Sequence, residues 1–254
     1  MRGKKKFFLS LAAFVAVIVI CSILLSVTGG YAVYTANTNK RKLPVYGVER
    51  DDNSLSISFD CAWGADYTEK ILDTLDFYKV KATFFVVEFW TEKYPEVLKK
   101  IVDRGHEVGT HSKTHPKMSK LSVGQIEAEL KSSVEAIEKI TEKKVTLFRP
   151  PFGDYDDEVI ETAEKLGLQT IQWSVDSLDW KDLSAEQIAV RVIGKTKSGS
   201  IILMHNNGLH TLESLPLIFT DLQRKGFVFR PIGELIYTKD YEIAPDGTQR
   251  KINI

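Results

Sequence analysis

Cysteine is nearly absent: the 254-residue chain holds two, Cys21 and Cys61. Cys21 falls in a long apolar run and Cys61 is the only thiol beyond it, so no intramolecular disulfide can staple the globular part. A core of some 200 residues does not need one. An excess of charge of either sign is also missing. The 34 Lys+Arg balance the 34 Asp+Glu, for a formal net charge of +0 and a pI near 7.0. That excludes the strong basic bias of a nucleic-acid binder. There is no polar low-complexity tract and no recurring period, which excludes a disordered chain and a repeat array. What is there, with 43% apolar residues, is a globular protein with one domain of about 200 residues or two small ones.

The zero charge is a sum over unlike segments. Arg2, Lys4, Lys5 and Lys6 are the only charged residues in positions 1–30. Removing these 4 from the 34 bases leaves 30 against 34 acids in positions 31–254, a charge of −4. Residues 7–27 carry no charge, and Ser10, Ser22 and Ser26 are their only polar members. A transmembrane helix needs about 20 apolar residues, whereas a secretory signal has an apolar core of about 7 to 15. The run is therefore expected to anchor the chain as a single span, with 1–6 cytoplasmic and everything past residue 28 exported. A cleaved signal, cut at Ala32 or Ala36, is the alternative, and the domain would then be secreted. Ile20 stands where a lipoprotein has a small residue before its modified cysteine, which discounts lipidation of Cys21. Residues 28–43 read as a tether, 44–240 as the domain and 241–254 as a tail.

Beyond the tether, short apolar runs alternate with helical patterns, as in a β/α fold with a mainly parallel sheet. Strands are expected at 55–59, 82–87, 107–110, 145–148, 170–173, 200–204 and 227–230. Helices are expected near 66–78, 94–104, 122–140, 156–166, 185–197 and 212–225. The clearest is 122–140, where Ser122 offers a cap and Ile126, Leu130, Val134, Ile137 and Ile140 recur on one stripe. The pattern alone leaves open a closed barrel or a doubly wound sheet. Asp60, His111, Arg149, Asp176 and His205 each fall at or just past the C-terminal end of an expected strand, the edge on which parallel β/α folds build their sites.

Each of these residues has a plain reading beside a chemical one. His111 and His115, spaced i and i+4, suit a divalent ion, Zn²⁺ above all, although an isolated HxxxH is more often a structural pair. Asp60 could cap a loop, or stand as a carboxylate beside a metal and take a proton from water. Arg149, ahead of the rigid Pro150-Pro151-Phe152-Gly153, could make a surface ion pair or hold a carboxylate. Trp173, Asp176 and His205 say little singly. Trp63, Trp90, Trp180 and Phe152 lie on strand-end loops, where sugar stacking and core packing are both open.

Taken together, the motifs resemble the NodB-type polysaccharide deacetylases, carbohydrate esterases that remove acetyl groups from chitin-like or peptidoglycan glycans. The matching segments are Ser58-Phe59-Asp60, Gly105-His106-Glu107-Val108-Gly109-Thr110-His111-Ser112-Lys113-Thr114-His115-Pro116, Phe148-Arg149-Pro150-Pro151-Phe152-Gly153, Asp176-Ser177-Leu178-Asp179-Trp180 and Ile202-Leu203-Met204-His205. With the basic and apolar N-terminus, the chain looks most like the sporulation-associated PdaB branch. The resemblance implies a distorted (β/α) barrel of about seven parallel strands. It implies a hydrolase acting on the amide C–N bond of an acetylated cell-wall, spore-cortex or chitin-like glycan. Asp60 would be the base and Arg149 its partner. His205 would be the acid, oriented by Asp176. His111 and His115 would hold the metal, the Phe152 N–H would face the oxyanion, and Trp63 and Trp180 would meet the sugar.

The chain departs from the family pattern at Cys61, where a second, metal-binding aspartate is expected. Two readings of Cys61 stand side by side. As a thiolate it would complete a Cys-His-His zinc site. As a small buried residue it would bind nothing, and the chain would then be a metal-poor glycan-binding or scaffolding protein that keeps the fold.

Overall fold

The structure, a computed structural model, describes residues 41–252. The basic segment 1–6, the apolar run 7–27, most of the tether, Cys21 and the cut sites Ala32 and Ala36 lie outside the described residues. Among the described residues no helix is long and apolar enough to cross a membrane. In chain order the elements are β1 (Gly47–Val48), β2 (Ser54–Cys61), α1 (Thr68–Phe77), β3 (Thr83–Val86), α2 (Glu88–Lys93), α3 (Pro95–Asp103), β4 (Glu107–Thr110), α4 (Val123–Thr141), β5 (Leu147–Phe148) and α5 (Asp157–Lys165). They continue as β6 (Gln169–Thr170), β7 (Val175–Asp176), α6 (Ala185–Lys195), β8 (Ile201–His205), α7 (Thr211–Arg224), β9 (Val228–Phe229), α8 (Ile232–Leu235), β10 (Tyr241–Ile243) and β11 (Thr248–Lys251).

β2 is the centre of the sheet because both its faces are covered. All eight of its residues are buried, and they divide by parity, as a strand's period of two requires. Leu55, Ile57, Phe59 and Cys61 join the main apolar core. Ser56 and Ser58 project to the other face, where their hydroxyls donate to Arg230 O at 2.7 Å and Ile202 O at 2.8 Å. Seven strands follow one another in the order β6, β5, β4, β3, β2, β8, β7, each parallel to its neighbours, and β9 pairs in parallel with the start of β2. The sheet is a curled, open barrel. A second small cluster including Phe85, Leu147, Ile171 and Ile201 fills its inside.

Sequence periodicity locates the long helices well. α4 begins after a capping box between Ser122 and Gln125 and buries Ile126, Leu130 and Ile137, and α6 starts from a capping box between Ser184 and Gln187. The structure departs from the expected elements in several places. The run 170–173 leaves the sheet after Thr170, since Ile171 bridges Val45, and a separate strand, β7, resumes beside β8. α2 follows β3 with one residue between them. Part of the expected tail is a hairpin, with β11 parallel to β1 and antiparallel to β10. Buried Gln249 fixes it there, accepting from Tyr237 N at 2.6 Å and donating to Tyr237 O at 2.7 Å.

Register decides which residues meet at the C-terminal edge. Asp60 on β2 is the Cα partner of His205 on β8. Thr110 on β4 partners Phe148 on β5, so the next residues, His111 and Arg149, are neighbours. Gly109, two residues before His111, is required between Phe85 and Leu147. A Cβ there would come within 2.7 Å of the Phe85 ring and 2.9 Å of Leu147 O, and that ring supports the Arg149 guanidinium at 4.2 Å.

His106 carries a pH-dependent part of the stability. Its Nδ1 accepts from Ala82 N at 3.2 Å, its ring meets Phe84 edge-on, and its Nε2 is buried without a partner. Burial, aided by Lys81, lowers its pKa from 6.5 to about 4. The unfolded chain therefore takes up a proton that the folded chain refuses as the pH falls from 6.5 towards 4. The fold should lose about 2 to 3 kcal/mol over that window and little more from this group below it. Urea denaturation should show this loss, and His106→Phe should remove most of it.

Candidate active site

The edge residues open onto a groove of about 950 Å³ whose lining includes Asp60, Trp63, His111, His115, Phe152, Asp176, Asp179, Trp180 and His205. On one side stands a buried ion pair. Arg149, fully buried, donates from Nη1 to Asp60 Oδ1 at 2.8 Å and from Nη2 to Gln172 O at 3.1 Å. Burial pushes the Asp60 pKa up, but the charge of Arg149 and its hydrogen bond, with His205 beyond, outweigh it and hold the carboxyl below its ordinary value. Asp60 is thus ionised, the state in which it can accept a proton.

His111 lies behind this pair. Its Nδ1 is 2.7 Å from Arg149 O, and because a carbonyl only accepts, Nδ1 carries the hydrogen. The Nε2 lone pair is left 3.5 Å from Asp60 Oδ2. His115 sits on a turn with φ +60, next to Ser112 with φ +70. Glu129 of α4 braces this turn by accepting Lys113 N at 2.9 Å, Thr114 N at 2.8 Å and Thr114 Oγ1 at 2.7 Å. The His115 ring meets His111, Trp63 and Phe152 edge to face, at 4.9, 4.9 and 4.6 Å. Burial and the neighbouring His111 bring its pKa to about 4.

Opposite is His205. Its Nδ1 donates to Asp179 Oδ1 at 2.8 Å, and its backbone N–H donates to Asp179 Oδ2 at 2.8 Å. Thr211 Oγ1 adds a third bond to the fully buried Asp179 at 2.6 Å. Burial lowers the His205 pKa, but the bond to Asp179 and its charge raise it above the ordinary value overall. The carboxylate that holds His205 is therefore Asp179 and not Asp176. Leu178, with φ +55, turns the chain so that Asp179 comes to the imidazole, while Asp176 accepts Leu178 N at 2.9 Å and remains on the groove wall.

Phe152 has φ +60 in the turn Pro151–Gly153 and is 63% exposed. The Gly153 and Asp154 N–H groups bond back to Pro150 O and Pro151 O, while the Phe152 N–H has no backbone acceptor among the described residues. Trp63 and Trp180 are exposed on the rim. Trp90 is not on it: buried in α2, it donates from Nε1 to Gly64 O at 2.6 Å and pins the loop that carries Trp63.

Cys61 does not complete a metal site. Asp60 and Ala62 line the groove on either side of it, and strand alternation sends the thiol to the opposite face, where it is fully buried in the apolar core. Its Sγ points to Phe59 O at 3.8 Å, and burial, with the Asp60 charge, pushes its pKa well above 9.0. Among the described residues no group of three His, Cys, Asp or Glu side chains is arranged to hold a metal ion. The side chains present do not fit the three-ligand zinc centre of the first reading of Cys61, and they match the second, in which it is a small buried residue. Cys61→Ala is accordingly expected to leave zinc affinity, read by calorimetric titration of the full chain, unchanged, at a cost of about 1 kcal/mol of packing. A tenfold loss of zinc affinity would instead place the thiolate on the metal.

The sequence profile of polysaccharide deacetylase matches residues 47–171. Over 193 residues the chain is 36% identical to the uncharacterized protein YlxY of Bacillus subtilis (strain 168), a match spanning 76% of this chain and 60% of that one. Over 196 residues it is 33% identical to the peptidoglycan-N-acetylmuramic acid deacetylase PdaA of the same strain, across 76% of this chain and 74% of PdaA. Among solved structures it is similar to wild-type BA3943, a CE4 family pseudoenzyme from Bacillus anthracis, with a TM-score of 0.74 at 37% identity, covering 76% of this chain and 68% of that chain. The matched residues 47–171 include the strands that lead to Asp60, His111 and Arg149, and with the 33% identity to PdaA the chain belongs to the polysaccharide deacetylase family.

Proposed function

We propose that the chain is a hydrolase that removes N-acetyl groups from cell-wall or spore-cortex glycan. The observation that carries this reading is the pairing across one groove of an ionised carboxylate, Asp60 held by Arg149, with an imidazole, His205, whose pKa Asp179 raises. Hydrolysis of an acetamide needs both. Asp60 takes a proton from water as the water oxygen adds to the acetyl carbon. The Phe152 N–H donates to the oxygen that gains the negative charge. His205 gives its proton to the departing nitrogen as the C–N bond breaks, leaving acetate and a free amine. Trp63 and Trp180 supply faces on which sugar rings stack. The similarity to PdaA supports a peptidoglycan substrate.

The finer assignment rests on the N-terminus. Four basic residues before an uncharged run from 7 to 27 support a single-pass anchor with the domain outside the cytoplasmic membrane, and a place in the sporulation-associated PdaB branch. A second reading, a glycan-binding protein that has lost hydrolysis, is favoured by the inward-turned Cys61 and by the pseudoenzyme among the similar structures. The full chain should be incubated with N-acetylglucosamine oligomers and with purified peptidoglycan, measuring bound glycan and released acetate. Acetate from either substrate supports the hydrolase. Binding with no acetate supports the second reading.

A further inference from the structure

The charge of the groove points to a ligand more specific than an acetylated glycan. Two of its carboxylates are answered: Asp60 by Arg149, and Asp179 by His205. Asp66, Asp176 and Asp182 also line it and make no ion pair among the described residues, and no lysine or arginine is among the lining side chains. Asp66 and Asp182 are exposed, as are the rings of Trp63 and Trp180 on the same rim. One of those rings already receives an ammonium group, since Lys181 Nζ lies 4.8 Å from the centroid of Trp180. Aromatic faces beside unpaired carboxylates favour a ligand that is flat, hydroxylated and positively charged.

We propose that the groove selects glycan in which sugars bearing free amino groups flank the acetylated one, so that it acts after an earlier deacetylation. This rests on the reading of the groove as a glycan site. A glucosamine ring supplies an apolar face to Trp63 or Trp180 and an ammonium to Asp66, Asp176 or Asp182. The carboxylate of a muramic acid, or of an attached peptide, meets the same acids as a like charge. The affinity order is therefore amine-bearing, then neutral, then anionic.

Binding of three oligosaccharides of equal length to the full chain tests this: one of glucosamine, one of N-acetylglucosamine, and one alternating N-acetylglucosamine with N-acetylmuramic acid. The glucosamine oligomer should bind about tenfold more tightly than the neutral one at low salt, a difference of about 1.4 kcal/mol. The preference should vanish near 1 M salt, where the screening length is about 3 Å. Asp66→Asn with Asp182→Asn, both at exposed positions, should reduce the preference to less than about threefold. Equal affinities, or a preference that survives the double substitution, would overturn the proposal. If the neutral oligomer binds and loses acetate without any preference, amine selection alone fails. If no oligosaccharide binds, the glycan reading of the groove fails with it.

Discussion

Arg149→Met is expected to be the most damaging single substitution in the domain, costing about 3 to 5 kcal/mol of folding stability. The guanidinium is fully buried, stacked on Phe85, and supplies the cation for a carboxylate that is itself only 7% exposed. Removing it leaves Asp60 as an unpaired charge beside an apolar interior. The contribution of Asp60 to the pH dependence should invert in the variant. In the native protein Asp60 has a lowered pKa, so its contribution is present above the ordinary carboxylate range and lost as the pH falls through that range. In Arg149→Met, burial acts on Asp60 unopposed by the guanidinium and raises its pKa. The folded state then binds the proton more readily than the unfolded state, so the stability gap between the variant and the native protein should narrow as the pH is lowered towards 4. Asp60→Asn in the Arg149→Met background should recover about 2 kcal/mol or more, because the orphaned charge is gone. Urea titrations of the two single variants and the double variant, at pH 7 and pH 5, check all of this. A double variant no more stable than Arg149→Met would show that Arg149 acts through packing alone.

Asp179→Asn is expected to lower acetate release by about 10² to 10⁴-fold, the usual contribution of a positioned acid or base. Asp179 receives three hydrogen bonds and supplies the negative charge that raises the His205 pKa. An amide can keep part of that geometry but not the charge. Hydrolysis that needs the imidazolium is present below the His205 pKa and is lost as the pH rises through it. The alkaline limb of the rate profile should therefore move to lower pH in Asp179→Asn. Asp176→Asn should change the rate by less than about threefold, since Asp176 bonds to Leu178 N and not to the imidazole. Rate profiles of the two variants against pH separate the roles, and a larger loss in Asp176→Asn would contradict the assignment.

The strand ends were legible because chemistry and periodicity coincide there. Asp60 closes an alternating strand, Arg149 and His205 close apolar ones, and His111 follows the short strand 107–110. Parallel pairing then brings the four together, as the Asp60–His205 and Thr110–Phe148 registers show. The position of Cys61 follows from the same alternation once Asp60 is placed in the groove, but which of two adjacent residues faces inward depends on how the strand end curls, and composition is silent about that. Asp179 was hidden for a different reason. It sits in the same short segment as Asp176, and only the left-handed turn at Leu178 decides which carboxylate reaches His205. Its third partner, Thr211, is 32 residues away, so no local pattern announces the bond. β7, β10 and β11 were missed because strands of two to four residues with polar members give no periodic signal.

The central claim is that Asp60 and His205 act together as base and acid on one acetamide. Its most direct test is the time course of acetate release from N-acetylglucosamine oligomers by the full chain and by Asp60→Asn, His205→Ala and the two combined, with oligomer binding measured alongside. The account predicts that the native chain releases acetate, that each single variant loses at least about 10²-fold, that the double variant is hardly slower than either single one, and that all four bind the oligomer. Binding by the native chain with no acetate, or a native rate matched by the double variant, would contradict it.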